Sequence, residues 1–236
     1  MRLSAPIYTL KRRAKTAARD QNIPLHQALD DIAQTEGFAR WSLLASHYAA
    51  RSPAKKLVSW LAPGEMLLIG ARPGQGKTLL GLELLLEAAR CGRNAACFTL
   101  EFTHQETVNH LLDIAGGRSN VLQDVEIETS DDISADYIVS SLGARAKTAV
   151  VMIDYLQGLD QSRTKPPLGD QLNTLHAFAK ASGTNFVVLA QIDRAFTSTD
   201  RRTPDVQDIR TPNPFNPACF DKTCFLHGGE LALSAQ

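Results

Sequence analysis

The chain has 236 residues, enough for one sizeable core with a small appendage, and an apolar share typical of a globular protein. No apolar run approaches the roughly 20 residues that span a bilayer, and the N-terminus MRLSAPIYTLKRRAK lacks the pattern of a secretory signal. Formal charge is zero overall but uneven: residues 1–56 carry ten Lys and Arg against four Asp and Glu, while the remainder carries 15 basic and 21 acidic residues. A basic arm on an acidic core fits a polyanion or an acidic protein partner; a solvated basic helix face accounts for it equally well.

Three helical patterns fill the first fifty residues. The first runs from about Ile7 to Arg19, with Ile7, Leu10, Ala14 and Ala17 on one stripe and Lys11, Arg12, Lys15 and Arg19 elsewhere. The second has Pro24 in its first turn, groups Leu25, Ala28, Leu29 and Ile32, and stops at Gly37. The third carries Trp41, Leu44, Ala45 and Tyr48 at i, i+3, i+4 and i+7. Residues 1–50 are therefore expected to close into a small basic helical bundle that docks a partner or binds nucleic acid. Its Gly-containing turn is loosely like a helix-turn-helix, and Trp41 and Tyr48 suit its core. Residues 51–63 are expected to be a linker and residues 64–236 a separate, larger core.

From Gly64 onward strand and helix patterns alternate, which predicts an α/β fold with a mostly parallel sheet flanked by helices. The strand candidates are Met66–Gly70, Ala95–Leu100, Val125–Glu128, Ala149–Asp154, Asn185–Gln191 and Thr223–His227. Several are continuous apolar runs, as strands covered on both faces should be. The helix candidates are Lys77–Cys91, Gln105–Ala115, Ser134–Ala146 and Leu168–Ser182. Cys91, Cys97, Cys219 and Cys224 form no C-x-x-C pair, so reduced thiols in a cytoplasmic protein are expected.

Between the first strand and the helix after it lies Ala71-Arg72-Pro73-Gly74-Gln75-Gly76-Lys77-Thr78, a Walker A pattern with Ala in place of the first Gly. Glycines let the backbone curl so that successive N–H groups face phosphate oxygens, and the following helix adds its positive N-terminus. Residues 71–79, ending on Leu79, are the expected nucleotide cradle. Lys77 would reach the β- and γ-phosphates of ATP, and Thr78 would supply a hydroxyl to Mg²⁺. Such a match arises by chance in roughly one unrelated chain in fifty of this length. Here a strand precedes it and a helix follows, as the motif requires.

Hydrolysis also needs a base, a carboxylate on the Mg²⁺ side and a group that feels the γ-phosphate. Three strands end in candidates, at the C-terminal edge where open α/β sheets bind ligands. These are Glu101 after AACFTL, Asp154 at the end of TAVVMID, and Gln191 at the end of NFVVLAQ. Singly, each is more often a helix cap or a loop residue; it is their order after a Walker A loop that points to catalysis.

These segments resemble DnaB-type replicative helicases. PGEMLLIGARPGQGKT is similar to their strand and Walker A loop, CFTLEFT to the strand whose Glu is the base, and VMIDYLQGL to their Walker B segment. VVLAQIDR is similar to the strand whose Gln contacts the γ-phosphate, and RRTPDVQDIR to the stretch after it. The resemblance spans roughly residues 57–226. It implies a RecA-like P-loop fold with the sensor strand between the P-loop strand and the Walker B strand. It further implies Lys77 and Thr78 on phosphate and Mg²⁺, Glu101 as general base, Asp154 as the Mg²⁺-side carboxylate and Gln191 as sensor. Arg194 matches a family arginine, with Asp193 or Asp208 as alternative partners.

In RecA-like motors the loops after these strands grip DNA. Here they are 157–167, with Arg163 and Lys165, and 196–220, with Arg201, Arg202 and Arg210. Both suit phosphate contacts, and both also suit ordinary surface loops. Phe196, Phe215 and Phe220 are their only candidate stacking platforms. The chain departs from the family in three ways. No Lys or Arg follows Lys222, where the family has a basic finger that reaches the neighbouring subunit's ATP; such fingers raise rates by roughly 10³–10⁵. The subunit-linking segment is shortened to about RSPAKKLVSWLA, and the N-terminal bundle is unlike the helicase's own.

The expectation is a Mg²⁺-dependent ATPase of the DnaB-like class acting on single-stranded DNA in replication of a chromosome, plasmid or phage. It has no membrane partner, forms homo-oligomers short of a stable hexamer, and takes an activating basic residue from a protein partner. An ATP-gated, non-motor regulatory protein that docks a partner through its N-terminal bundle is the alternative, and a recombination ATPase of the wider RecA group is a more distant one.

Overall fold

The computed structural model describes residues 3–5, 7–50, 52–116, 123–160, 165–198, 201, 203–228 and 230–235. Arg163 and Arg202 lie outside the described residues. The chain divides into two compact units, Met1–Lys56 and Leu57–Gln236.

In the first unit α1 (Ile7–Asp20), α2 (Leu25–Thr35) and α3 (Trp41–Ala50) follow the three apolar stripes. Leu10, Ala33 and Leu44 form the buried centre, with Ile7, Ile32, Phe38 and Trp41 packed against it. Asp30 on α2 accepts the Trp41 N–H at 2.8 Å and so closes the start of α3. Glu36 accepts the backbone N–H of Ser4 at 2.7 Å. Leu25, expected on the core stripe, is instead exposed, because it is the first helical residue and the stripe closes one turn later on Ala28.

Residues 51–63, expected as a linker, contain a helix, α4 (Pro53–Trp60). Pro53 occupies the first helical position, where a missing N–H costs nothing. Ala54, Leu57 and Leu61, at i, i+3 and i+7, are buried.

The second unit is a seven-stranded sheet in the order β3-β2-β4-β5-β1-β6-β7. The strands are β1 (Met66–Ala71), β2 (Ala95–Thr99), β3 (Val125–Glu128), β4 (Val150–Asp154), β5 (Asn185–Gln191), β6 (Lys222–His227) and β7 (Glu230–Ala235). All pairs are parallel except β6–β7. Helices α5 (Lys77–Arg90), α6 (His104–Ile114), α7 (Ala135–Leu142) and α8 (Leu168–Ser182) connect them. The central strands are buried along their length, as their unbroken apolar runs require. The arrangement is the RecA-like P-loop fold, with the Gln191 strand between the Walker A and Walker B strands.

Two local departures have plain causes. The helix expected over 134–146 ends at Leu142, since Gly143 takes φ 47°, and continues as a 3-10 turn over Gly143–Ala146. The edge strand β7 escapes the sequence pattern because only Leu231 and Leu233 mark its alternation; it pairs back on β6 through a turn at Gly228, φ 55°. All four cysteines are free thiols, with only Cys91 exposed, and burial pushes Cys219 and Cys224 up to about 12. No helix among the described residues is long and apolar enough to cross a membrane.

Gly70, just before the nucleotide loop, has no room for a side chain: a Cβ there would lie 2.4 Å from the Phe225 ring. Gly70→Ala is therefore expected to lower stability by about 1–3 kcal/mol through overpacking, read as a fall in the urea midpoint at unchanged slope. An unaltered midpoint would mean that the Phe225 ring shifts freely.

Candidate nucleotide and metal site

Four side chains that the sequence scatters over 78 positions meet at the C-terminal edge of the sheet. The Walker A loop leaves β1 at Ala71 and turns so that the Gln75 N–H donates to the Arg72 carbonyl at 3.2 Å. Gly74 and Gly76 have φ 75° and 90°, the left-handed region that only glycine enters without strain. Nothing stands within 4 Å of a Cβ at Gly74, so glycine serves backbone conformation there rather than space. Gly76 caps α5, which begins at Lys77. The first-turn N–H groups of α5 have no carbonyl within the helix to bond, so the loop presents donors and a positive dipole end together.

β2 is the register partner of β4, with Thr99 opposite Asp154. After β2 the Thr99 hydroxyl accepts the N–H groups of Glu101 and Phe102, each at 3.2 Å, and fixes the bend that carries Glu101. A Thr two and three residues before the bonded N–H groups is the sequence signal of such a side-chain turn. Lys77 Nζ donates to Glu101 Oε2 at 2.7 Å and to Asp154 Oδ1 at 3.3 Å. Thr78 Oγ1 donates to Asp154 Oδ2 at 2.9 Å. The Lys77 ammonium also stands 5.4 Å from the centre of the Tyr155 ring.

The electrostatics follow from burial. Asp154 is fully buried and Lys77 nearly so, whereas the Glu101 side chain is 39% exposed. Burial by itself lowers the Lys77 pKa, but the charge of Asp154 and the hydrogen bond and charge of Glu101 outweigh it, and the ammonium is held above its ordinary value. Burial pushes the Asp154 carboxyl up, against the opposing pull of Lys77 and Thr78. A hydroxyl and a carboxylate bonded to each other at a sheet edge form a hard-oxygen pair of the kind that holds a hydrated Mg²⁺.

Gln191 closes β5, directly opposite Ala71 in register, and the Ile192 N–H donates to the Ala71 carbonyl at 2.9 Å. The sensor candidate thus stands beside the first residue of the cradle. Gln157, the last residue of the Asp-Tyr-Leu-Gln run and the first of the loop 157–167, donates from Nε2 to the Gln191 carbonyl at 2.9 Å and accepts the Gln191 N–H at 3.2 Å. A cavity of about 290 Å³ opens here, lined by Tyr155, Gln157, Gln191, Asp193, Arg194 and Arg210, together with Ile192.

The loop residues divide. Asp193 and Asp208, the alternatives weighed for Arg194, receive Arg210 and Arg201 respectively. Arg201 also bonds Asp205 at 2.7 Å and lies over the Phe196 ring. Arg210 keeps most of its side chain in solvent, and Lys165 is half-buried. Phe196 and Phe220 are buried and Phe215 packs edge-on against Phe220, so these rings belong to the core rather than to a stacking platform. Gln171 of α8 holds the loop after β4 by donating to the Leu159 and Pro166 carbonyls, at 2.9 and 2.8 Å.

No model of a known protein family matches the chain. The replicative DNA helicase DnaB of Mycoplasma genitalium is 24% identical over 208 residues, covering 73% of this chain and 44% of the helicase. DnaB of Mycoplasma pneumoniae is 25% identical over 213 residues, covering 74% and 45%, and that of Buchnera aphidicola 26% over 190, covering 66% and 40%. The chain spans less than half the length of these curated relatives. Among solved structures, an isolated ATPase domain superposes with a TM-score of 0.62 at 20% identity, covering 79% of this chain and 82% of that one. A DnaB-like replicative helicase, studied with its interactions with primase, gives 0.60 at 18% identity, covering 92% and 65%. In sequence the chain is similar to the DnaB replicative helicases, and it shares the RecA-like P-loop fold of their ATPase domains.

Proposed function

We propose that the chain is a Mg²⁺-dependent ATP hydrolase of the DnaB-like helicase class, acting on single-stranded DNA in cytoplasmic replication of a chromosome, plasmid or phage. The observation that carries this reading is the convergence of Lys77, Thr78, Glu101 and Asp154 within one hydrogen-bonded cluster. The backbone of residues 71–79 and the Lys77 ammonium bind the phosphates. Thr78 Oγ1 and the Asp154 carboxylate hold Mg²⁺, which when bound offsets phosphate charge. Phosphate oxygens compete with Glu101 for Lys77, so nucleotide binding draws the ammonium away and leaves the Glu101 carboxylate free. Glu101 then takes the proton of the attacking water as the oxygen bonds to the γ-phosphorus and the bond to the ADP oxygen breaks. Gln191 hydrogen-bonds the γ-phosphoryl group.

For DNA, Arg210 is the readiest cation among the described loop residues, because its guanidinium is mostly in solvent and meets one carboxylate, Asp193, at 3.4 Å, whereas Arg201 is engaged by two. Arg210→Ser is expected to weaken binding of a labelled oligothymidylate uniformly and to reduce the salt slope by about 0.7. Fluorescence anisotropy over a salt series reads both, and an unchanged slope removes Arg210 from the contact. ATP turnover with and without single-stranded DNA tests the whole reading: stimulation supports it, whereas indifference to DNA favours a second reading. That second reading is an ATP-gated protein that docks a partner through its N-terminal unit. It draws on α1, where Arg12, Arg13 and Arg19 are exposed.

A further inference from the structure

β4 and β5 pair for the last time at Asp154 and Leu189. In a parallel ladder both polar groups of one residue point to the same neighbour, and successive residues alternate between neighbours. Ile192 bonds toward β1, through the Ala71 carbonyl, so Gln191 offers its N–H and C=O toward β4. There β4 has already given way to the 3-10 turn Leu156–Asp160. The Gln157 carboxamide fills the missing rung, accepting from Gln191 N and donating to Gln191 O.

The same Nε2 also donates to the Arg210 carbonyl at 3.4 Å. Arg210 is on the returning leg of the loop after β5, whose base is closed by an antiparallel bridge between Ile192 and Ile209 and by the Asp193 N–H on the Asp208 carbonyl at 2.9 Å. Three residues past Gln157, Asp160 accepts the backbone N–H of Asn213 at 2.9 Å and its side-chain amide at 2.6 Å. The turn after the Walker B strand therefore grips both the end of the sensor strand and the return of the next loop. Gln157 is the one side chain that bonds both at once among the described contacts.

We propose that Gln157 is a positioning residue that couples the nucleotide state felt at Gln191 to the loop 193–210. This rests on the ATP-site reading above and adds to it the route by which that site reaches the candidate DNA contact at Arg210. Gln157 touches no part of the phosphate cradle in the described contacts. Its loss should thus spare nucleotide binding while cutting the loop off from it.

The test is amide hydrogen exchange, resolved by peptide, on the full chain with Mg²⁺ and a non-hydrolysable ATP analogue. The wild type, Gln157→Ala and Gln157→Glu are compared. Gln157→Glu keeps the size and the acceptor but removes both donated bonds, and it serves if Gln157→Ala does not fold. In the wild type the analogue is expected to change exchange in residues 193–210 by about threefold or more. Both variants should bind the analogue within about twofold of wild-type affinity, read by calorimetry. They should keep the change at residues 71–79 and lose it at 193–210. A purely structural role would raise exchange of the loop with and without nucleotide alike and leave the difference intact. Survival of the difference in the folded variants, or its absence in nucleotide-bound wild type, overturns the proposal. Failure of the wild type to bind the analogue overturns the ATP-site reading itself.

Discussion

Glu101→Gln is expected to retain ATP and to lose turnover by about 10²–10⁴-fold, the range that general-base catalysis supplies. Glutamine fills the same volume and still reaches Lys77 through its amide oxygen, but it accepts no proton from water at neutral pH. The Glu101 side chain is the more exposed of the two carboxylates on Lys77, which suits a group that must meet a water and discharge its proton to solvent. Asp154 suits that role poorly: it is fully buried and bonded to both Lys77 and Thr78. The measurement is steady-state phosphate release beside calorimetric nucleotide affinity. Unchanged turnover would remove Glu101 from the chemistry.

Lys77→Ala should act on binding as well as on rate. A charge-assisted hydrogen bond contributes about 1.5–3 kcal/mol, so ATP affinity is expected to fall by roughly 10–100-fold, with turnover falling further. The same substitution leaves the buried Asp154 without the charge that opposes its burial, so its carboxyl should take up a proton more readily. Weaker Mg²⁺ binding follows, since a protonated carboxyl is a poor ligand. Calorimetry in Mg²⁺ that gave unaltered nucleotide affinity would place the phosphates somewhere other than the Ala71–Leu79 loop.

Much of this architecture is written in local signals. The β1–loop–α5 unit is legible because an apolar run, positive-φ glycines and an amphipathic run follow one another, and each is a local physical requirement. The three strand-end residues are legible for a related reason: in a parallel sheet the C-terminal ends all lie on one edge, so a polar residue closing an apolar run has a known address. What escaped depends on contacts distant in sequence. The part played by Gln157 becomes visible only when the register shows that β4 stops short of Gln191. The hold of Gln171 on the Leu159 and Pro166 carbonyls is invisible for the same reason. Phe196 and Phe220 stand at the two ends of one polar loop, yet both rings pack into the main core cluster. Helix α4 was hidden by a Ser-Pro pair that looks like a linker and instead opens a helix.

The most direct test of the central claim is phosphate release from ATP by the purified full chain, with Mg²⁺ and with the metal chelated, run beside Glu101→Gln. Turnover that requires Mg²⁺ and collapses in the variant, while both proteins bind nucleotide equally, is the predicted result. Nucleotide binding with no Mg²⁺-dependent release, or release that Glu101→Gln leaves intact, would contradict it.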